Sequence, residues 1–309
     1  MARTGHLKGD CLLLLTAMIW GSAFVAQKAG MEHVGPFIFN GVRFGLGALV
    51  LTPLALRTRG PQSVLRTAPR PPSLLLSSSL AGILLFAGSG LQQVGLIFTT
   101  AGKAGFISGL YVIMVPLLGL IWGHRAGTWT WIGACLAVLG LYLLTVKSSL
   151  GLGLGDGLIL LCALMFALHV TAIGWLAPRV EVIRLAVLQF WVCSLLSLGV
   201  GLFFESTAWD DLLAAAVPIL YGGLLSVGVA YTLQVVAQKE APPTHAAIIL
   251  SLETVFAVLS GCLILGETLS LKGWAGCSLM LCGMLAAQLD PAPGSEHADH
   301  LGAQTGSST

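Results

Sequence analysis

The chain has 309 residues, 56% of them hydrophobic and only 9% charged, with a formal net charge of +2. A typical soluble domain carries about 25% charged residues, so this composition cannot wrap one apolar core in a water-compatible surface, and the lipid bilayer is the solvent it is built for. The small net charge, with no basic stripe, excludes nucleic acid as a partner.

A membrane span needs about 20 mostly apolar residues. In chain order, such runs predict helices over 10–28, 36–57, 73–96, 101–122 and 128–146, then over 155–175, 183–204, 213–237, 243–265 and 271–289. The first run has a basic start in Arg3 and Lys8 and a small-residue stretch, Gly21-Ser22-Ala23, as in a signal peptide. Its counterpart recurs in mid-chain, however, so it is expected to be a retained helix. Turn chemistry separates the runs: Gly35-Pro36, four prolines within 58–72, Gly151 to Gly155, and Pro242-Pro243. Residues 290–309 lack apolar periodicity and are expected to form a disordered cytoplasmic tail.

The ten runs are two sets of five. Gly9-Asp10 opens a stretch, Leu12 to Phe24, that recurs after Gly155-Asp156 as Leu158 to Val170, a spacing of 146. Trp131-Ile132-Gly133 with Gly140 recurs as Trp274-Ala275-Gly276 with Gly283, a spacing of 143. The expected fold is therefore an all-α integral membrane protein of two five-helix repeats (5+5), residues 9–147 and 155–289. An odd number of spans per repeat turns the second upside down. Inverted repeats of this kind build secondary transporters, with the substrate site between the halves near mid-bilayer.

Orientation follows from Lys and Arg. With the N-terminus in the cytoplasm, ten basic residues fall on inner segments and only Lys28, Lys103, Lys147 and Lys272 on outer ends. The 205–211 loop, with Glu205, Asp210 and Asp211 and no basic residue, then lies outside, and both termini are cytoplasmic.

A few side chains within the spans can do chemistry. Glu253 sits about ten residues into the ninth span, where a charge costs roughly 2.5–3.5 kcal/mol on insertion scales and demands a partner or a wet cavity. It reads as a proton-titrating or amine-binding carboxylate, or as a buried acid bonded to a neighbouring helix. Arg43, in the second span, is a possible charge partner: it can meet a substrate carboxylate, or snorkel to an interface. His169 can shuttle protons or simply pack. Gln92, Gln93, Tyr231 and Gln234 can orient a polar substrate or bond between helices. Trp20, Phe24 and Tyr111 can line an amphipathic cavity or pack against other helices. Lys103 can meet an anion or snorkel, and Glu267 reads as a turn residue. Glu253 falls opposite Leu110 in the first repeat, Arg43 opposite Gln189 and His169 opposite Ala23, so the candidate chemistry is not duplicated.

The seven cysteines lie in apolar stretches without metal-ligand spacing, so neither a metal nor another cofactor is expected. Glu253, His169 and Arg43 stand on three separate helices in no catalytic spacing, which argues against an enzyme. A scaffold or assembly subunit would explain the packing glycines but not the intramembrane charges. There is no ATP-binding G-x-x-x-x-G-K-[ST] motif, so a gradient must supply the energy, with protons as one candidate coupling ion.

Specific stretches carry a family resemblance. Trp20-Gly21-Ser22-Ala23-Phe24, with Arg43-Phe44, resembles the start of an EamA-type domain of the drug/metabolite transporter superfamily. Leu91-Gln92-Gln93-Val94-Gly95-Leu96 through Val115-Pro116-Leu117-Leu118 resembles that domain's third and fourth helices. Ser251-Leu252-Glu253-Thr254-Val255-Phe256-Ala257, then Gly266-Glu267-Thr268-Leu269, resembles its most recognisable segment. The resemblance covers about residues 9–289. It implies a 5+5 inner-membrane transporter of small metabolites, often amino acids or related compounds, frequently moved outward. The family usually has proline where this chain has Thr254, so a straighter ninth helix is expected.

Overall fold

The structure is a computed structural model that describes residues 2–58, 73–98, 101–121, 126–145, 153–265, 270–287 and 289. The 59–72 linker, Glu267 and the 290–309 tail lie outside the described residues, as does the side chain of Lys103.

Every regular element among the described residues is a helix. In hydrocarbon a backbone must satisfy its own hydrogen bonds, which the helix does within one segment. The first half contains α1 (Ala2–Gly30), α2 (Pro36–Arg57), α3 (Leu74–Phe98), α4 (Ala101–Gly109), α5 (Tyr111–Ile121) and α6 (Thr128–Thr145). The second half opens with α7 (Leu154–Leu176), α8 (Val182–Phe204), α9 (Trp209–Ala214) and α10 (Ala216–Leu220). A π-helix, Tyr221–Tyr231, runs on into α11 (Thr232–Ala237), followed by α12 (Pro243–Leu250), α13 (Glu253–Leu265) and α14 (Leu271–Ala287). Pro36 and Pro243 start their helices, where a missing N–H costs nothing.

Six helical runs are long and apolar enough to cross a membrane, and four shorter apolar helices accompany them: Ile107–Ile121, Thr128–Gly140, Pro243–Ala257 and Leu271–Ala287. Burial is inverted relative to a water-soluble protein. Leu202, Phe203 and Phe204 are more than three-quarters exposed, whereas Arg43, His169, Gln189 and Gln234 are 0–2% exposed. Lipid accounts for the first group, and an internal polar site for the second.

Two expectations need correction. The ninth span is not straight: it breaks at Ser251-Leu252, immediately before Glu253, although no proline stands at Thr254. The Ser251 hydroxyl donates to the Ile248 carbonyl at 2.8 Å, and the Leu252 N–H reaches back only three residues, to Ile249. Such bonds compete with the α-helical ladder. The fourth span breaks in the same way at Leu110, where Ser108, the repeat counterpart of Ser251, donates to Gly105 and the Leu110 N–H to Ile107. The Thr254 hydroxyl also donates to Gly105, at 3.5 Å, and joins the two breaks. Nor is the eighth span one α-helix. It is interrupted at Ala215, and 11 of its residues are π-helical.

Two helix pairs, α6 with α14 and α2 with α8, pack antiparallel. A Cβ on Gly133 of α6 would lie 2.5 Å from the carbonyl oxygen of Gly283 in α14, and one on Gly140 would lie 2.6 Å from that of Gly276. In the α2–α8 pair, Gly41 abuts Leu198, and Gly201 abuts Ile38. Arg184 of α8 and Glu205, which caps its end, also hold both ends of α2. The Glu205 carboxylate accepts the N–H groups of Phe37 and Ile38 at 2.9 and 2.8 Å, while Arg184 donates to the carbonyls of Ala55 and Thr58 at 3.2 and 2.7 Å. Each charge opposes the partial charge of the helix end it touches.

Candidate functional site

Two apolar clusters meet around α1. One gathers Phe44, Leu185, Phe190 and Tyr231; the other gathers Leu13, Tyr111, Val170 and Leu250. Trp20 and Phe166 pack against both. Between the clusters lies a partly open cavity.

Nine of the side chains singled out from the sequence line this cavity: Trp20, Phe24, Arg43, Gln92, Tyr111, His169, Tyr231, Gln234 and Glu253. Gln93, beside Gln92, points elsewhere into the protein and is fully buried, with neither amide atom partnered. The sequence reading missed Gln27, Phe166, Val170, Ser226 and Leu250. Gln27 was findable, since it continues the Trp20–Phe24 face of α1 by one turn.

The break before Glu253 makes this residue the first of α13, where the positive end of the helix favours a carboxylate. Close approach of α1 is secured by Gly21, whose Cβ, if present, would sit 2.5 Å from the Glu253 carbonyl oxygen. Glu253 is 8% exposed, and its carboxylate makes no hydrogen bond or ion pair among the described residues.

Arg43 is held differently. Its Nε donates to Asn40 Oδ1 at 2.9 Å, one turn back on α2, and its guanidinium carbon lies 5.0 and 5.5 Å from the ring centres of Phe44 and Phe39. Two ring faces thus compensate part of the lost hydration. Arg43 also abuts Gly222, where a Cβ would come within 3.2 Å of its Cδ. No ion pair joins Arg43 to an acid among the described residues.

Tyr231 is the aromatic centre of the site. Its ring lies 4.5 Å from that of Trp20, 5.7 Å from Phe44 and 6.3 Å edge-on from His169. The π-helix that carries it is bonded to α1: Trp20 Nε1 donates to the Ser226 carbonyl at 3.2 Å and Thr16 to that of Ala230 at 3.2 Å. His169 Nε2 bonds Gln189 Oε1 at 3.0 Å, so the imidazole has a partner as well as a cavity-facing edge. Gln189 is the repeat counterpart of Arg43. Among the described residues, three buried oxygens of the lining have no partner: Tyr111 Oη, Gln27 Oε1 and Gln234 Oε1.

The cavity therefore presents one cation, one carboxylate not paired with it, several vacant acceptors and aromatic walls. Such a lining suits a small molecule with a charged group at each end and an apolar body. Among the described residues no three His, Cys, Asp or Glu side chains gather as a metal site would need.

The profile of the EamA-like transporter family matches the sequence twice, at residues 7–146 and 153–287. An uncharacterized transporter of Archaeoglobus fulgidus is 31% identical over 285 residues, covering 92% of this chain and 87% of the relative. The uncharacterized inner membrane transporter YedA of Escherichia coli is 27% identical, covering 88% of each chain. A solved crystal structure superposes with a TM-score of 0.72 over 91% of this chain and 96% of its own, at 21% identity, a likeness of fold alone.

Proposed function

Because the chain belongs to the EamA-like transporter family, we propose that it carries small amphoteric metabolites, amino acids among them, out of the cell through the cavity around Tyr231. The observation that supports this most is the presence of Arg43 and Glu253 on one cavity with no ion pair between them. A substrate carboxylate at Arg43 and its amine at Glu253 would neutralise both, while its side chain lies against Trp20, Phe24 and Phe166. Charges inside a membrane are expensive unless they are used in this way.

The proposed frame is ten spans in two inverted five-helix repeats, with both termini in the cytoplasm. The antiparallel contacts between equivalent helices and the breaks at Leu110 and Ser251-Leu252 support it. Discontinuous helices at matching positions of two halves are a common feature of alternating-access sites. The relative named as an inner membrane transporter supports the same location here.

Flux of radiolabelled amino acids into proteoliposomes, with and without a pH gradient, tests the proposal. The wild type is expected to move them, and Glu253→Gln to lose about tenfold or more, the scale of one hydrogen bond to a charged group. Flux that ignores the gradient and is unchanged in Glu253→Gln removes proton exchange from the mechanism. Absence of amino-acid flux in the wild type removes the substrate class.

A further inference from the structure

One end of the cavity carries an amide relay. Arg43 packs against Gly222, and Gln234 lies three turns further along the same helical run, so the two mark opposite ends. The relay starts at the backbone carbonyl of Val170, which can only accept. Gln238 Nε2 donates to it at 2.8 Å. That bond decides which way round the Gln238 amide lies and turns its Oε1 to Gln234, whose Nε2 donates to it at 3.0 Å. Gln234 is thereby oriented in turn: its nitrogen is committed to the relay, and its Oε1 is buried without a donor. Both glutamines are 1% exposed, but only Gln234 lines the cavity. A free glutamine amide offers donor or acceptor by turning over; this one is held with its acceptor vacant.

We propose that the Val170–Gln238–Gln234 relay locks Gln234 as an acceptor, so that the cavity wall at Gln234 selects the N–H-bearing ammonium pole of the substrate. Gln238 is the positioning residue for that selectivity. The proposal rests on the reading of the cavity as the substrate site, and it adds a distinction that charge alone does not make. Glu253 attracts any cation. Gln234 Oε1 gains only from one with N–H to donate, so a primary ammonium and its trimethylated form, equal in charge, are told apart.

The test is binding by purified protein, read as ligand-induced thermal stabilisation, of L-leucine, its N,N,N-trimethyl betaine and 4-methylpentanoate. Flux of leucine is measured separately in proteoliposomes. Wild type is expected to bind leucine about tenfold or more tightly than the betaine, one hydrogen bond to a charged group being worth that much. Gln238→Leu frees the Gln234 amide and brings the ratio towards one, with 4-methylpentanoate binding unchanged. Gln238→Glu still offers an acceptor to Gln234 Nε2 and keeps the preference, whereas Gln238→Met fills the same space without an acceptor and loses it, a difference that a purely packing role for Gln238 would not give. Gln234→Met removes the acceptor outright and reads the same effect if Gln238→Leu fails to fold. A wild type that binds the betaine as well as leucine, or binds neither, overturns the proposal, as does a preference that survives both Gln238→Leu and Gln234→Met. Unaltered selectivity with intact flux removes the relay and leaves transport standing. Relay-dependent selectivity without flux does the reverse.

Discussion

Arg43 is a charge kept in place by groups that gain little from it. One side-chain hydrogen bond and two ring faces do not repay a guanidinium for its hydration shell, so its retention points to a ligand. Replacing it by Met removes a charge that costs roughly 2.5–3.5 kcal/mol in a span. The replacement leaves Asn40 Oδ1 without a donor, a loss of about 1 kcal/mol. We expect Arg43→Met to hold or raise the thermal unfolding temperature in detergent and to lose about tenfold or more of carboxylate-substrate flux; a marked drop in stability would mean that Arg43 holds the fold together. Residues of this kind were legible because polarity is conspicuous in an apolar segment: Glu253, His169, Gln92 and Gln234 declared themselves, whereas Gln27 was overlooked. Phe166, Val170 and Leu250 did not, since an apolar side chain on a cavity wall has the same sequence signature as one in a core or against lipid. Ser226 enters partly through its backbone carbonyl, bonded to Trp20, and no side-chain pattern announces that.

Among the elements, α2 is the one whose ends are fixed from outside. Glu205 answers two of the N–H groups that every helix start leaves unpaired, and a side chain on Gly35 would run into its carboxylate. Glu205→Ala leaves those donors bare, and we expect it to cost about 1–3 kcal/mol, with Glu205→Gln falling between it and wild type in chemical or thermal unfolding. The sequence marked Glu205 only as part of an acidic outer loop, because its partners lie 168 and 167 residues away. Helix breaks followed the same logic. A missing proline at Thr254 suggested a straight helix, yet Ser251 breaks it by bonding its own backbone, and the repeat spacing that pairs Ser108 with Ser251 was the available clue. The π-helix left no clue in the residues of 221–231; its residues pack on α1 and α2.

For the whole molecule, the tightest seam is α6 against α14. No side chain fits between Gly133 and the Gly283 backbone, so Gly133→Leu is expected to force the helices apart at a cost of about 3 kcal/mol or more. Gly199, with nothing within 4 Å of its Cβ position, is expected to accept the same change with little loss. Unfolding of the two variants side by side decides whether backbone approach, rather than glycine as such, matters. Packing between the two halves also has a consequence for biogenesis. Ser194 bonds the Gly41 carbonyl 153 residues earlier in the chain, and at 5–20 residues per second the first half waits roughly 8–30 s for such partners to be synthesised. Meanwhile the glycine face of α6 stands open in the bilayer.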